Sequence, residues 1–411
     1  MIYTIMKNTI CAIPWVHLNI IPGGKVYPCC MTTDFKGYAG DLNTQTVEEV
    51  WNSDYLKDVR VKMINGEEPK MCSRCFEGER SSGQSARLNH NRYFITKLEE
   101  IPIITQNDGH VDKIDLKYWD FRFSNLCNYK CRTCGPEFSS AWIPEARELG
   151  WIHEKRDEKV INIESVDQTT NIDFLGKYIN VVEKIYFAGG EPLLMDEHWK
   201  ILEMLDANER YDVILTYNTN LSKLTYKNKN VLDYWKKWGR RVWLWPSIDD
   251  IDERAELIRS GTIWKNVEEN LKAVVELDIH VKPSMTVSCM NAHRIPDVVN
   301  RLLDLGVIRG SDENWQNFSF NVLEFGKHFH VSVLPDITRT KIREDLEKFI
   351  LDYQTKYKVD IRYKFLHLFW HLEKPFEADN AIHFKKITED IDNLRNENTL
   401  NVIPELNYIL K

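Results

Sequence analysis

The run KYWDFRFSNLCNYKCRTC, residues 117–134, changes character halfway along. Its first nine residues, 117–125, are rich in aromatic side chains and have the composition of a β-strand. Three cysteines follow at once, Cys127, Cys131 and Cys134, in a CxxxCxxC spacing. A strand that runs straight into a loop of thiols puts metal-ligating groups where parallel α/β sheets collect their chemistry, past the strand's C-terminal end.

Reading outward, five more short β-rich runs lie at 183–190, 212–220, 241–249, 280–288 and 317–325. Between them lies helical periodicity, as in DEHWKILEMLDANE (196–209), NVLDYWKKWG (230–239), WKNVEENLKAVVEL (264–277) and RIPDVVNRLLDLG (294–306). Six strands with helical crossovers specify an α/β fold with a parallel sheet, closed or half closed. Asn125, Gly189 to Glu191, Asn218, Asn220, Ser247, Asp249 and Asn291 all fall at or just past predicted strand ends. Beyond 330 the sequence is mostly helical and names no chemistry by itself.

The chain has 411 residues, room for two or three domains of ~150 residues. With 43% hydrophobic and 28% charged residues it reads as a folded soluble protein with disorder at most local, and its net charge of −8 offers no attraction to nucleic acid or anionic lipid. No stretch nears the ~20 apolar residues of a membrane span, and the opening residues lack a basic leader, so a cytoplasmic location is expected. Nine cysteines, eight of them within the first 134 residues, are an odd and clustered set. In a cytosolic chain that pattern points to metal before disulfides.

Taken alone, Cys127, Cys131 and Cys134 fit zinc with a fourth ligand from elsewhere, or three irons of a 4Fe-4S cluster with the fourth left open. A second motif, Ala188-Gly189-Gly190-Glu191-Pro192, ends the next predicted strand. Its two glycines are expected to let a ligand approach the backbone. CxxxCxxC followed one strand later by GGEP makes residues 115–325 resemble the radical S-adenosylmethionine (radical SAM) superfamily. That resemblance implies a partial (β/α)6 barrel. It implies a 4Fe-4S cluster on Cys127, Cys131 and Cys134, S-adenosylmethionine (SAM) on the open iron, and Gly189, Gly190, Glu191 and Pro192 against the methionine amine. The stretch Ser247-Ile-Asp249 to Arg259 carries over Ser247 and Arg259 to the cofactor's ribose and carboxylate, with Asn218 and Asn220 as further candidates. Thr133 stands where many members pack the adenine with an aromatic residue, and Tyr129 is the candidate for that role.

The first cysteines run CxxPW, GGKVYPCC, GDLNTQTVEEVWNS and GEEPKMCSRC, an order that resembles the auxiliary-cluster domain called SPASM or, in its short form, twitch. The resemblance implies a second 4Fe-4S cluster on Cys11, Cys29, Cys72 and Cys75, with Cys29 or Cys30 as the choice at the double cysteine. Zinc in a four-cysteine knuckle is the alternative. The domain usually follows the radical SAM core, and here it precedes it. The expected organisation is therefore an auxiliary domain over 1–105, a radical SAM core over 115–325 and a helical region over 326–411.

The implied activity is that of an oxidoreductase: reductive cleavage of SAM to a 5'-deoxyadenosyl radical that takes a hydrogen atom from a peptide or protein, with a flavodoxin or ferredoxin as electron donor. Oxidation or epimerisation of a small molecule such as a sugar or nucleoside is the alternative, and a non-catalytic metal-stapled binding protein is the rival outside enzymes. Cys289, outside both groups, is either a packed core residue or a donor that returns a hydrogen atom to the substrate radical. The histidines, including the pair His367 and His371, form no HExxH array and receive no role.

Overall fold

The computed structural model describes residues 9–33, 36–152, 173–311, 318–324 and 326–411. Asn317 and Phe325, at the ends of the last strand candidate, lie outside the described residues. In chain order the strands are β1 His17–Ile20, β2 Lys25–Tyr27, β3 Gly40–Asp41, β4 Tyr118–Phe121, β5 Lys130–Cys131, β6 Lys184–Phe187 and β7 Ile214–Thr219. They continue with β8 Thr225–Tyr226, β9 Lys229–Asn230, β10 Val242–Pro246, β11 Arg259–Ser260, β12 His280–Val281, β13 Ser284–Val287 and β14 Ser319–Val322. Two compact units divide the chain, Met1–Leu126 with Val160–Thr216 and Cys127–Lys159 with Tyr217–Lys411. Strand β7 passes from one to the other.

In the first unit the strand order is β7-β6-β4-β1-β2-β3. Strand β4 lies parallel to both β1 and β6, with His17 opposite Tyr118 and Trp119 opposite Ile185. Strands β1 and β4 are buried at every position, as strands covered on both faces must be. The cysteine-rich N-terminal segment thus contributes a strand to the sheet that carries the first core strand. Strand β1 turns into β2 through Gly23 and Gly24, both at φ +88°, the left-handed region open to glycine. Residues 47–69, read as one helical stretch, form two helices, Val47–Trp51 and Asp54–Asn65. Thr46 and Glu49 close a capping box on the first, and Ser53 caps the second through the Leu56 N–H. The buried Arg60 of the second helix donates to the carbonyls of Pro14 and Gly109 at 3.0 and 3.3 Å, which ties it to the segment that follows Cys11.

In the second unit β10 pairs parallel with β12, and β13 parallel with β14. Its strand order, with β7, runs β12-β10-β7. The run 280–288, expected as one strand, is two strands with different partners. Pro283 separates them, because it has no N–H to continue a ladder. Helices Asp336–Tyr357, Arg362–Leu372 and Ala378–Arg395 form the C-terminal region expected from the sequence. No helix among the described residues is long and apolar enough to cross a membrane.

Candidate metal and cofactor sites

The loop that carries Cys127, Cys131 and Cys134 is held by its own unit from several sides. Strand β5 contains Cys131 and pairs antiparallel with β11, which sets Cys131 opposite Arg259. The Cys127 N–H donates to Ser140 Oγ at 3.3 Å, and Cys127 Sγ accepts from the Tyr129 N–H at 3.5 Å. Trp142 Nε1 donates to the Cys131 carbonyl at 2.9 Å, and the Cys134 N–H does so at 3.0 Å. Between the second and third cysteines the buried Arg132 pairs with Asp392 at 2.6 Å and Glu397 at 2.5 Å. Arg395 donates to the Lys130 carbonyl at 3.1 Å. The C-terminal helix Ala378–Arg395 is therefore a clamp on the cysteine loop, a role that its sequence did not signal.

A small cavity in the same unit is lined by Tyr129, Asn220, Ser247, Asp249, Asp250 and Arg259, among others. Arg259 Nη1 donates to Asp249 Oδ2 at 2.8 Å, and its guanidinium lies 5.9 Å from the Tyr129 ring centroid. Asp249 Oδ1 accepts the Thr286 N–H at 2.8 Å, and Asn291 Nδ2 donates to the Asp249 carbonyl at 2.8 Å. Asn220 Nδ2 donates to Asn128 Oδ1 at 2.9 Å and lies 4.0 Å from Cys127 Sγ. Two buried polar atoms of the lining, Arg259 Nε and Asp250 Oδ2, have no hydrogen-bond partner among the described residues. Asp250 Oδ1 faces Arg294 Nε at 3.5 Å and accepts the Ile251 N–H at 2.9 Å, so one unmet donor and one unmet acceptor belong to residues of the lining, which suits a polar ligand. Burial raises the Asp250 pKa to about 6. Of the residues expected here, Tyr129, Asn220, Ser247 and Arg259 come together, whereas Asn218, half-buried on β7, does not line the cavity. Asp250 was missed, although a second carboxylate directly after Ser-Ile-Asp was its signal.

The Gly-Gly-Glu-Pro segment belongs to the first unit. A Cβ on Gly190 would stand 2.2 Å from the Leu126 carbonyl oxygen, and one on Gly189 3.1 Å from Arg122 Cβ. These glycines thus admit the chain before Cys127, not a ligand as expected, at the faces their side chains would occupy. The Glu191 N–H donates to the Leu126 carbonyl at 2.7 Å, and its carboxylate accepts the Leu193 N–H at 3.1 Å to start the turn at Pro192. Because Leu126 precedes Cys127, the motif fixes the entry to the cysteine loop.

In the first unit, Cys11, Cys29, Cys72 and Cys75 line one cavity together with Met63 and Met71. Cys11 precedes the turn Ile13–Trp15, Cys29 follows β2, and Cys72 and Cys75 open the helix Ser73–Ser82. Arg87 pairs with Glu79 and donates to the Ile10 carbonyl at 2.8 Å, beside Cys11. Cys30 is exposed and is not part of this lining. Burial pushes the thiols of Cys11 and Cys72 up to about 12, and that of Cys134 in the other set likewise.

None of the nine cysteines is in a disulfide. Among the described residues, the only three Cys, His, Asp or Glu ligand atoms within 4.8 Å of one another belong to Glu324, His367 and His371. Four thiols around one cavity and three on one short loop are donor sets that suit iron and sulfide. Cys289 lies just past β13, 1% exposed, with its N–H donating to the Phe329 carbonyl at 2.9 Å. Burial pushes its thiol well above the ordinary range.

Residues 11–76 match the SPASM family, described as an iron-sulfur cluster-binding domain, and residues 121–302 match the Radical SAM superfamily. Among characterised proteins the chain is 26% identical to the GTP 3',8-cyclase of Sulfurimonas denitrificans over 46% of this chain and 53% of that one. It is 25% identical to the GTP 3',8-cyclase of Aliarcobacter butzleri over 54% and 59%. The chain spans about half the length of these relatives. Solved structures that resemble it include native anSMEcpe with bound AdoMet, at 18% identity and TM-score 0.39 over 59% of this chain and 63% of that one. Another is Streptococcus suis SuiB bound to the precursor peptide SuiA, at 12% identity and TM-score 0.36 over 75% and 64%. With a SPASM domain ahead of a radical SAM domain, the chain belongs to the radical SAM superfamily, whose cofactors are SAM and a 4Fe-4S cluster, joined here by auxiliary iron-sulfur.

Proposed function

We infer that the protein is a radical SAM enzyme that abstracts a hydrogen atom from a peptide or protein, with Cys127, Cys131 and Cys134 as ligands of the core cluster. The observation that carries this reading is the pairing of Cys131 with Arg259 beside a cavity that also holds Asp249, Asp250, Asn220 and Tyr129. When bound, the reduced cluster and SAM supply a 5'-deoxyadenosyl radical, which attacks unactivated C–H bonds. The chain's residues do the rest. Arg259, held by Asp249, offers its unmet N–H to the cofactor, Asp250 accepts from a cofactor hydroxyl, and Tyr129 provides an apolar face. In the auxiliary cavity, Cys11, Cys29, Cys72 and Cys75 are the four ligands, and a flavodoxin or ferredoxin supplies electrons.

Peptide modification is favoured by the SPASM domain, which commonly accompanies that chemistry. Small-molecule turnover is the second reading, favoured by the GTP 3',8-cyclases among the relatives. Anaerobic, reduced protein is to be offered SAM with substrates deuterated at carbon, short peptides in one arm and GTP in the other. Deuterium in 5'-deoxyadenosine from a peptide supports the first reading. Deuterium from GTP alone overturns it in favour of the second. Run in deuterated water, the same assay tests Cys289: solvent deuterium in the product, lost in Cys289→Ala, would make it the hydrogen donor.

A further inference from the structure

Helix Arg362–Leu372 carries His367 and His371 one turn apart, a spacing that brings two side chains onto one helix face. Their Nε2 atoms are 3.2 Å apart. Two imidazole nitrogens bound tetrahedrally to one zinc, each at ~2.05 Å, stand ~3.3 Å from each other. Glu324, two residues past β14, adds a carboxylate, so that three ligand atoms lie within 4.8 Å of one another. The carboxylate and His367 are exposed while His371 is buried, which gives an ion a way in and a fixed seat.

Behind His371 stands a second layer. His371 Nδ1 is 2.7 Å from His330 Nε2, and His330 Nδ1 is 2.7 Å from Ser332 Oγ. His330, Ser332 and His371 are all buried. Metal-ligating histidines typically donate their second N–H to such a partner, which fixes ring and tautomer. With one proton on each ring, the row has two arrangements. In one, the Ser332 N–H donates to His330 Nδ1, His330 Nε2–H to His371 Nδ1, and His371 Nε2–H to His367 Nε2. In the other, His371 donates through Nδ1 to His330 Nε2, and His330 through Nδ1 to Ser332 Oγ. The second arrangement leaves the His371 Nε2 lone pair for a metal and neither ring loses a proton on the way, but it gives up the Ser332 N–H bond to His330 Nδ1, which metal binding has to offset.

We propose that Glu324, His367 and His371 form a binding site for a divalent first-row transition ion of the zinc class, backed by His330 and Ser332. The ion joins the segment after β14 to the helix Arg362–Leu372 and keeps its fourth position for water. The site uses nitrogen and oxygen donors and no thiol, which separates it from both cysteine sets.

The test takes full-length protein with its iron-sulfur clusters loaded, so that the thiols are engaged, dialysed against a mild chelator and titrated with zinc by calorimetry. One zinc per chain is expected, with affinity at least 10-fold weaker in His367→Ala and in Glu324→Gln. Both positions are exposed, so the variants are expected to fold, and unchanged iron content and circular dichroism check this. Zinc should raise the parent's unfolding midpoint and leave that of His367→Ala unmoved. No zinc uptake by the parent, or uptake equal in parent and both variants, overturns the site.

Discussion

The two cysteine sets differ in how they are built. Cys11, Cys29, Cys72 and Cys75 come from three separated segments and line a cavity whose other walls include Met63 and Met71. Cys127, Cys131 and Cys134 come from one loop, and the cavity near that loop holds Arg259, Asp249 and Asp250. Four thiols close a coordination shell, whereas three leave a position open, the same distinction that separates structural from catalytic zinc sites. Polar side chains with unmet hydrogen bonds accompany the open set. The closed set should hold an electron carrier, and the open set should do chemistry.

Five experiments would break or sharpen that contrast, taken from the largest expected effect to the smallest. Replacing Cys127, Cys131 and Cys134 together by Ala should abolish 5'-deoxyadenosine formation and leave about four irons per chain, which iron analysis and chromatography would report. Replacing Cys72 and Cys75 by Ala should also leave about four irons, but uncoupled cleavage of SAM should persist while substrate turnover stops. Stoichiometric zinc in the first cavity of the parent would sink that distinction.

Arg132→Ala leaves Asp392 and Glu397 facing a lost cation, and breaking a pair this buried costs about 3–5 kcal/mol. Denaturant unfolding should show that loss, together with easier release of iron from the core loop and not from the auxiliary cavity. Glu191→Ala removes the acceptor of the Leu193 N–H, worth about 1 kcal/mol by analogy with helix caps. It should weaken SAM binding with the core cluster retained, and unchanged calorimetric affinity would count against it.

The last contrast is in pH. In cluster-free protein the thiols of Cys11, Cys72 and Cys134 have pKa values raised by burial from 9.0 to about 12. The folded state then binds more protons than the unfolded between those values, so its stability is full below pH 9 and falls as pH rises toward 12. In loaded protein the same thiols are bound as thiolates, so unfolding takes up protons and stability falls toward acid instead. Chemical denaturation across pH should show the alkaline fall above pH 9 in cluster-free protein alone and the acid-side fall below pH 9 in loaded protein alone, and the same profile in both would argue that these thiols hold no metal.

Much of this was legible in the sequence because it depends on short spacings. The CxxxCxxC loop, the Gly-Gly-Glu-Pro segment and the cysteine order from Cys11 to Cys75 are local patterns, and the core strands follow from aromatic and β-branched runs. What escaped is long-range. Nothing local announces that His17–Ile20 will pair in parallel with Tyr118–Phe121 across a hundred residues. Gly190 reads as room for a ligand until the Leu126 carbonyl is seen where its side chain would be. Nothing near Arg132 announces that Asp392, on the last long helix, and Glu397, just past it, will pair with it. The histidine pair on one helix lacked a third ligand in its own segment, and Glu324 lies 43 residues before His367.

The most direct test of the central claim, that one set closes around a cluster and the other leaves it open for SAM, is a joint count of iron and 5'-deoxyadenosine on anaerobically reconstituted parent protein. The expected result is about eight cysteine-bound irons per chain, and 5'-deoxyadenosine formed from SAM only when a reductant is present. Zinc in place of iron in the Cys127 loop, or eight irons with no cleavage of SAM under reduction, would contradict it.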